Sequence, residues 1–245
     1  HLKGMIFDDT VFYTGASIND VYCQQNERYR LDRYYQINSE RLSDSFCDYL
    51  TTYFLDTKLA PQLNIETVPN KVEQKKILQR LKPILAKSDY QLTALVPSTN
   101  TATNTAPHKQ ENESAAISIS PLVGCGKRSN KLNKQIRALV QNAEAELFLL
   151  TPYFNLPKPL AKDVNRALKR GVKVNLVIGD KTANDFYIPP TKKFSTIGIV
   201  PYLYEVLLSR YVKKQQRYID QGLLTIRLWK DGNNSFHLKG LVADQ

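Results

Sequence analysis

Apolar and polar positions along the chain follow two different periods, and from about residue 129 onward the two alternate. Helical spacing from about Ser129 to Asn142 predicts a helix, and the apolar run Glu146 to Thr151 predicts a strand. A second helix, Pro159 to Arg170, is closed by Gly171 at a C-cap position. A strand over Val172 to Ile178, a loop over Gly179 to Pro190, a helix near Val200 to Tyr218 and a strand over Leu223 to Trp229 follow, before a last apolar run after Lys239. Such alternation predicts the α/β class. Strands this apolar are expected to be buried on both faces, in a sheet covered by helices.

The first part of the chain reads differently. Residues 1 to 13 pair as HLKGMIFDD and TVFY around an Asp8-Asp9-Thr10 turn, which predicts a hairpin. Tyr34 to Ile37 is strand-like, and residues 41 to 56 read as a helix with Leu42, Phe46, Tyr49, Leu50 and Tyr53 along a core-facing side. Lys71 to Lys87 can form another helix. The stretch 97 to 116 (PSTNTATNTAPHKQENESAA) is Ser/Thr/Asn-rich without period and reads as a linker.

Composition narrows the function without choosing it. With 245 residues, 42% hydrophobic and 23% charged, the chain is an ordinary globular one with room for one large or two modest cores. A net charge of +11 favours a polyanionic partner, whether nucleic acid, an anionic membrane surface or a phosphorylated substrate. Cys23, Cys47 and Cys125 are too few and too scattered for a disulfide framework or a zinc site and suit a reducing cytoplasm. No apolar run reaches bilayer-spanning length and no signal peptide is evident, so membrane contact is expected to be peripheral. The chain starts without Met and inside a motif, which predicts a piece of a longer protein.

That motif occurs twice. His1-Leu2-Lys3-Gly4 and His237-Leu238-Lys239-Gly240 are each followed by apolar residues and an acid seven positions after the His, Asp8 and Asp244. On a strand, residues two apart share a face, so His and Lys project together while the Asp has the opposite parity and turns away into a supporting role. A single His-x-Lys pair reads as the wet face of a half-exposed strand. Two copies divide the work of a displacement at phosphorus: one imidazole attacks, and the other protonates the departing oxygen. Lys3 and Lys239 would hold the nonbridging oxygens, and the scheme needs neither metal nor cofactor. The third histidine, His108, lies in the linker and reads as a solvated loop residue.

The spacing is HxKxxxxD, and on it the chain resembles the phospholipase D superfamily, in which two such motifs from two similar domains meet at one active site. The strings GASINDVY (15 to 22), TPYFNLP (151 to 157), GDKTANDFYIP (179 to 189), PYLYE (201 to 205) and RLWKDG (227 to 232) resemble its bacterial phosphatidylserine synthase branch. The resemblance implies a phospholipase D-like α/β fold with a mixed β-sheet flanked by helices. Residues 1 to 56 would be the C-terminal part of a first domain, 57 to 117 a linker with a helix and a low-complexity loop, and 118 to 245 a second, similar domain truncated after its motif. It also implies phosphatidyl transfer from CDP-diacylglycerol to L-serine through a phosphohistidine, in the cytoplasm at the inner face of the cell membrane. Family habit makes His1 the nucleophile and His237 the acid, although the residues themselves treat the two symmetrically. A phosphodiesterase, cardiolipin synthase or nuclease would use the same four residues, and a noncatalytic polyanion-binding domain would need only the charge. With His1 its first residue and the segments around both motifs missing, the chain by itself is expected to be inactive.

Six further residues come with the resemblance. Ser17 and Asn19 stand where the superfamily carries Gly-Ser-x-Asn, here with one residue inserted, whose polar side chains approach the substrate phosphate; the same string also reads as a turn. Asp32 is the nearest acid to accept the Nδ1 proton of a nucleophilic imidazole, or else it pairs with Arg30 or Arg33. Lys181, Asn184 and Asp185 follow a central strand, where α/β sheets place ligand contacts; they suit a phosphate, a base or sugar edge and an amino group respectively, or simply a capped turn. The helix near Val200 to Tyr218 carries Leu203, Val206, Leu207, Tyr211 and Val212 along one side, with Arg210, Lys213, Lys214 and Arg217 toward its end. Such a helix either lies on an anionic phospholipid membrane surface or packs on the sheet with a solvated face.

Overall fold

Apolar runs separated by amphipathic helices do become a covered sheet in the computed structural model, which describes residues 3–25, 27–56, 60, 62, 69–91, 118–126 and 130–244. In chain order the elements are β1 (Met5–Phe7), β2 (Thr10–Thr14), β3 (Arg30–Leu31), β4 (Tyr34–Asn38), α1 (Glu40–Leu50), α2 (Lys71–Lys87), α3 (Lys131–Asn142), β5 (Glu146–Thr151), α4 (Lys158–Lys169), β6 (Lys173–Gly179), α5 (Val200–Asp220), β7 (Leu224–Trp229), β8 (Ser235–Phe236) and β9 (Gly240–Ala243). The chain divides into two compact units. One joins the first 38 residues to those from Asn133 onward, and the other is Ser39–Leu132.

In the first unit the main sheet has the order β7-β6-β5-β9, with β5, β6 and β7 parallel and β9 antiparallel at the edge beside β5. Leu147, Leu149, Val174, Leu176, Ile178 and Leu224 form its buried face, against Val140 of α3 and Val164, Ala167 and Leu168 of α4. Leu208, Tyr211, Tyr218 and Ile219 of α5 join the same core. Burial along β6 alternates between full and partial, so the sheet is not buried on both faces as the apolar runs suggest. Asn175 and Arg227 explain the difference, since both lie on the second face and bond to each other across the strands, Nη1 to Oδ1 at 3.1 Å. Two polar groups of this size keep a face partly wet.

A separate antiparallel sheet, β1-β2-β4, is built on the predicted hairpin, with Met5 opposite Phe12 and Phe7 opposite Thr10. The expected hairpin start at His1 and Leu2 lies outside the described residues. A third sheet is only two residues wide: β3 runs parallel to β8, pairing Arg30 with Ser235 and Leu31 with Phe236. It ties the start of the chain to its end.

In the second unit, Ser39 caps α1 by accepting from the Leu42 amide at 3.3 Å, and one π-helical turn, Thr51–Leu55, continues it to the predicted length. Leu42 and Tyr49 are buried, and the Tyr49 ring packs at a tilt against Tyr53, Phe54 and Tyr90. A capping box of Asn70 and Glu73 starts α2. The linker 97 to 116, with His108, lies outside the described residues.

Asp163 of α4 is a carboxylate within the first unit's core, with no exposed surface of its own. Its cover is shallow, because the groups over it are the exposed guanidinium of Arg137, Nε to Oδ2 at 2.5 Å, and of Arg166 at 3.4 Å; Gln141 donates at 3.0 Å. The Arg137 hydrogen bond foremost holds the Asp163 carboxyl below its usual range against some burial. A carboxyl with a depressed folded pKa adds stability that is complete above its unfolded pKa, about 3.9, and is lost as the pH falls through the folded value. Asp163→Asn is therefore expected to lower the melting temperature at pH 7 and to bring the variant closer to wild type near pH 2.5. Thermal melts at both pH values check this, and an equal deficit at both would show that the charge contributes nothing.

Candidate active site

The second motif does not lie in one continuous strand. The chain pairs with β3 through Phe236 and with β5 from Gly240, so His237, Leu238 and Lys239 cross from one sheet to the other. Ladder pairing fails over these three residues because no single partner strand spans both sheets. The His237 amide still donates to the Leu31 carbonyl at 2.9 Å, which fixes the backbone just below the imidazole. Phe236 is buried beside Gly179, where a Cβ would lie 3.1 Å from the Phe236 Cβ, so glycine lets β8 close onto the end of β6.

His237 is held from three sides. Its Nδ1 lies 2.8 Å from Asp32 Oδ2, 3.2 Å from the Tyr22 hydroxyl and 2.9 Å from Lys239 Nζ. The Asp32 side chain is 5% exposed and sits in the connection between β3 and β4. It acts on this imidazole and makes no side-chain ion pair with Arg30 or Arg33 among the described residues. Gly15 provides the room for it, since a Cβ there would come within 3.3 Å of Asp32 Oδ2. An ionised carboxylate accepts only, so the Asp32 contact places a proton on Nδ1. Nε2 is then left as a lone pair, to which Lys239 Nζ donates at 3.2 Å, and the approach of Nζ to Nδ1 is a close contact and not a hydrogen bond.

Cations surround this ring. Although Lys239 as a residue keeps exposed surface, burial at its ammonium end and the neighbouring Lys3 charge pull its pKa below the ordinary lysine value, burial being the larger cause, while Asp32 and Asp185 oppose them. Lys239 Nζ also donates to the His237 carbonyl at 2.6 Å. Lys3 Nζ donates to the Gly15 carbonyl at 2.8 Å and the Ser17 hydroxyl at 2.9 Å, and stands 5.8 Å from the Tyr22 ring. Arg30 lies 5.1 Å from the centre of the same ring and pairs with Asp185, Nε to Oδ1 at 2.9 Å. The Tyr153 hydroxyl donates to Asp185 Oδ2 at 3.3 Å. Burial pushes the phenols of both Tyr22 and Tyr153 up, so both stay neutral. The assembled group of one imidazole, two lysines, one arginine and two carboxylates is suited to hold a doubly charged phosphate and to pass one proton to it.

The remaining sequence candidates fall in different places. His1 lies outside the described residues, so its distance from His237 does too. Ser17 reaches the cluster through Lys3, whereas Asn19 closes its own turn by accepting from the Tyr22 amide at 3.2 Å. Lys181 turns to Glu205 on α5 at 3.0 Å, and Asn184 is buried and caps the Phe186 amide at 2.9 Å. Asp185 alone of that loop joins the cluster. Asp8 is exposed in the β1–β2 turn, while Asp244 accepts from the amides of Glu144, Ala145 and Glu146 at 2.8–3.0 Å. Both adopt a left-handed backbone, with φ of 47° and 46°. These amide bonds hold the Asp244 carboxyl below its usual range. Tyr22 and Tyr153 were not singled out by the sequence; each stands only as a member of a resembling string, GASINDVY or TPYFNLP.

Mixed sheets flanked by helices, with a His-x-Lys pair at the crossing between two of them, make this an α/β protein with basic side chains gathered at that crossing. Over its whole length the chain is similar to the CDP-diacylglycerol–serine O-phosphatidyltransferase of Haemophilus influenzae Rd KW20, at 39% identity over 245 residues. It is similar also to the CDP-diacylglycerol–serine O-phosphatidyltransferase PssA of Escherichia coli K12, at 38% over 244 residues. The crystal structure of phosphatidylserine synthase from Haemophilus influenzae Rd KW20 superposes with a TM-score of 0.87, covering 100% of this chain and 51% of that one. The chain spans 50% of the length of each curated relative. No protein-family model matches it.

Proposed function

We propose that the chain supplies the catalytic histidines of a phosphatidylserine synthase, which moves a phosphatidyl group from CDP-diacylglycerol to L-serine and releases CMP. The observation that carries this reading is the Asp32–His237–Lys239 group, with Lys3 beside it, in a chain similar over its whole length to two such transferases. His1 attacks the phosphatidyl phosphorus, the bond from phosphorus to the CMP oxygen breaks, and His237, once it has taken up a proton on Nε2 in place of the Lys239 contact, gives that oxygen the proton. The serine hydroxyl then attacks the phosphohistidine while His237, now neutral, takes the hydroxyl proton, and His1 is released unchanged. Lys3 and Lys239 neutralise the nonbridging oxygens in both steps. Asp185 would receive the serine ammonium. In this reading residues 1 to 56 close a first domain, 57 to 117 link it, and 118 to 245 belong to a second.

The reaction joins a lipid to a water-soluble amino acid, so it belongs at a membrane surface on the cytoplasmic side. Among the described residues no helix is long and apolar enough to cross a membrane. The apolar side of α5 named from the sequence divides in two: Tyr211 packs on Phe154 at 4.8 Å, while Leu203, Val206 and Leu207 are exposed. Exposed Phe194, Ile197 and Ile199 lie just before them, and Arg210, Lys213 and Lys214 follow. An apolar face with basic neighbours suits peripheral contact with anionic phospholipid.

The test, on the full-length protein, is CMP release from CDP-diacylglycerol in anionic vesicles, with and without L-serine, beside a plasmid-nicking control. Release is expected to depend on serine and to yield phosphatidylserine through an acid-labile, alkali-stable protein adduct. Serine-independent hydrolysis or nicking of the plasmid would overturn the assignment.

A further inference from the structure

Resting on that reading, we infer the direction in which the nucleotide lipid lies across His237: its CMP half occupies a basic pocket beside β8, and its acylglycerol half an apolar pocket on the hairpin side. Of two pockets of opposite character, one is lined by residues near in sequence to the cluster's members, and the other shares Tyr22 with it. The first has a volume of about 600 Å³ and is bounded by Arg28, Lys192 and Lys230, with Thr182, Tyr187 and Asn233 among its polar walls. The second, about 380 Å³, is lined by Met5, Phe12, Ile18, Tyr22 and Tyr34 and carries no charged side chain. Both volumes fall in the range of sites that hold small ligands.

The basic pocket is made by the same segments that make the catalytic cluster. Arg28 Nη2 donates to Ser235 Oγ at 2.7 Å, two residues before His237. Thr182 and Tyr187 stand on either side of Asp185 in one loop, and Asp185 is the partner of Arg30. Arg28 Nε is buried and has no hydrogen-bond partner among the described residues. That atom is closed to the pocket, so what Arg28 offers a phosphate oxygen there is the positive charge of its guanidinium. Lys192 and Lys230 add charge at the rim, while Tyr187, Ile188 and Pro189 give the flat apolar wall that a pyrimidine needs.

The apolar pocket meets the cluster at Tyr22, whose hydroxyl is 3.2 Å from His237 Nδ1. A lipid glycerol with its first acyl carbons fits uncharged walls, and a nucleoside phosphate does not. CMP beside β8 also puts the leaving oxygen on the side of His237. This gives a physical reason for His237 to act as the acid.

Titration of the protein with CMP alone, without lipid or serine, tests the inference by calorimetry. Arg28→Ala and the double variant Lys192→Ala/Lys230→Ala are each expected to weaken CMP binding by about tenfold or more. Because Arg28 bonds to Ser235, the double variant at two exposed positions guards against a folding defect. Ile18→Asp, in the apolar pocket, is expected to leave CMP affinity unchanged and to raise the KM for CDP-diacylglycerol. Unchanged CMP affinity in the basic-pocket variants would overturn the inference, as would inorganic phosphate binding as tightly as CMP. Failure of the transferase assignment looks different, since CMP would still bind here but no serine-dependent release would occur.

Discussion

Replacing His237 with alanine is expected to lower serine-dependent CMP release by roughly 10²–10⁴-fold, the usual contribution of a positioned general acid. The loss should sit in kcat, because the imidazole meets the departing oxygen most strongly in the transition state. A phosphatidyl ester of p-nitrophenol gives the sharper measurement. Its leaving group needs no proton, so the variant should recover most of the first step and still form the phosphohistidine adduct. Adduct turnover to serine should remain slow, because the same imidazole must deprotonate the serine hydroxyl. Equal deficits with CDP-diacylglycerol and the p-nitrophenyl ester would show that His237 is not the acid. Loss of the adduct with both would make His237 the nucleophile instead.

Asp32→Asn is expected to cost roughly a hundredfold in kcat, as small misplacements of a reacting group do, with the KM for CDP-diacylglycerol little changed. Asp32 is a positioning residue: at 2.8 Å its carboxylate holds the proton on Nδ1 and leaves Nε2 for chemistry. An asparagine can turn its amide nitrogen to Nδ1 and demand the opposite tautomer. Nitrogen NMR of labelled histidine reads the tautomer directly, and Asp32→Glu should restore both tautomer and part of the rate. A rate loss without a tautomer change would mean that Asp32 merely supports the loop between β3 and β4.

Much of the architecture was legible because it is written locally. The period change near residues 146, 172 and 223 marks β5, β6 and β7, and the Asp8-Asp9 turn marks the hairpin. The wet second face of the main sheet was hidden, since only the pairing of neighbouring strands brings Asn175 and Arg227 together. The break in the second motif was hidden for a similar reason. A strand two residues long carries no period, and β3 and β8 exist only because distant stretches meet. Lys3 and Lys239 could be named from residue type and spacing, and Asp185 from its loop after a central strand. Asp32 was expected beside the nucleophilic imidazole and instead serves His237, because partner choice depends on the pairing of Leu31 with Phe236. The sequence also could not say whether Lys181 and Asn184 face a ligand or their own loop. Glu205 and the Phe186 amide claim them in the structure.

The two-residue bridge of β3 and β8 also bears on the order of folding. Asp32 and His237 are 205 positions apart, and the intervening chain must be closed before they touch. Loop-closure entropy rises only slowly with length, so the finished site is not much penalised. Search time is affected more, because contacts between remote positions are the slow ones to form. The β5–β6–β7 sheet and the hairpin consist of near neighbours and can assemble early, whereas the proton-transfer group has no local precursor. Reactivity therefore arrives with the last long-range contacts, and a partly folded chain carries its histidines without a carboxylate to orient them.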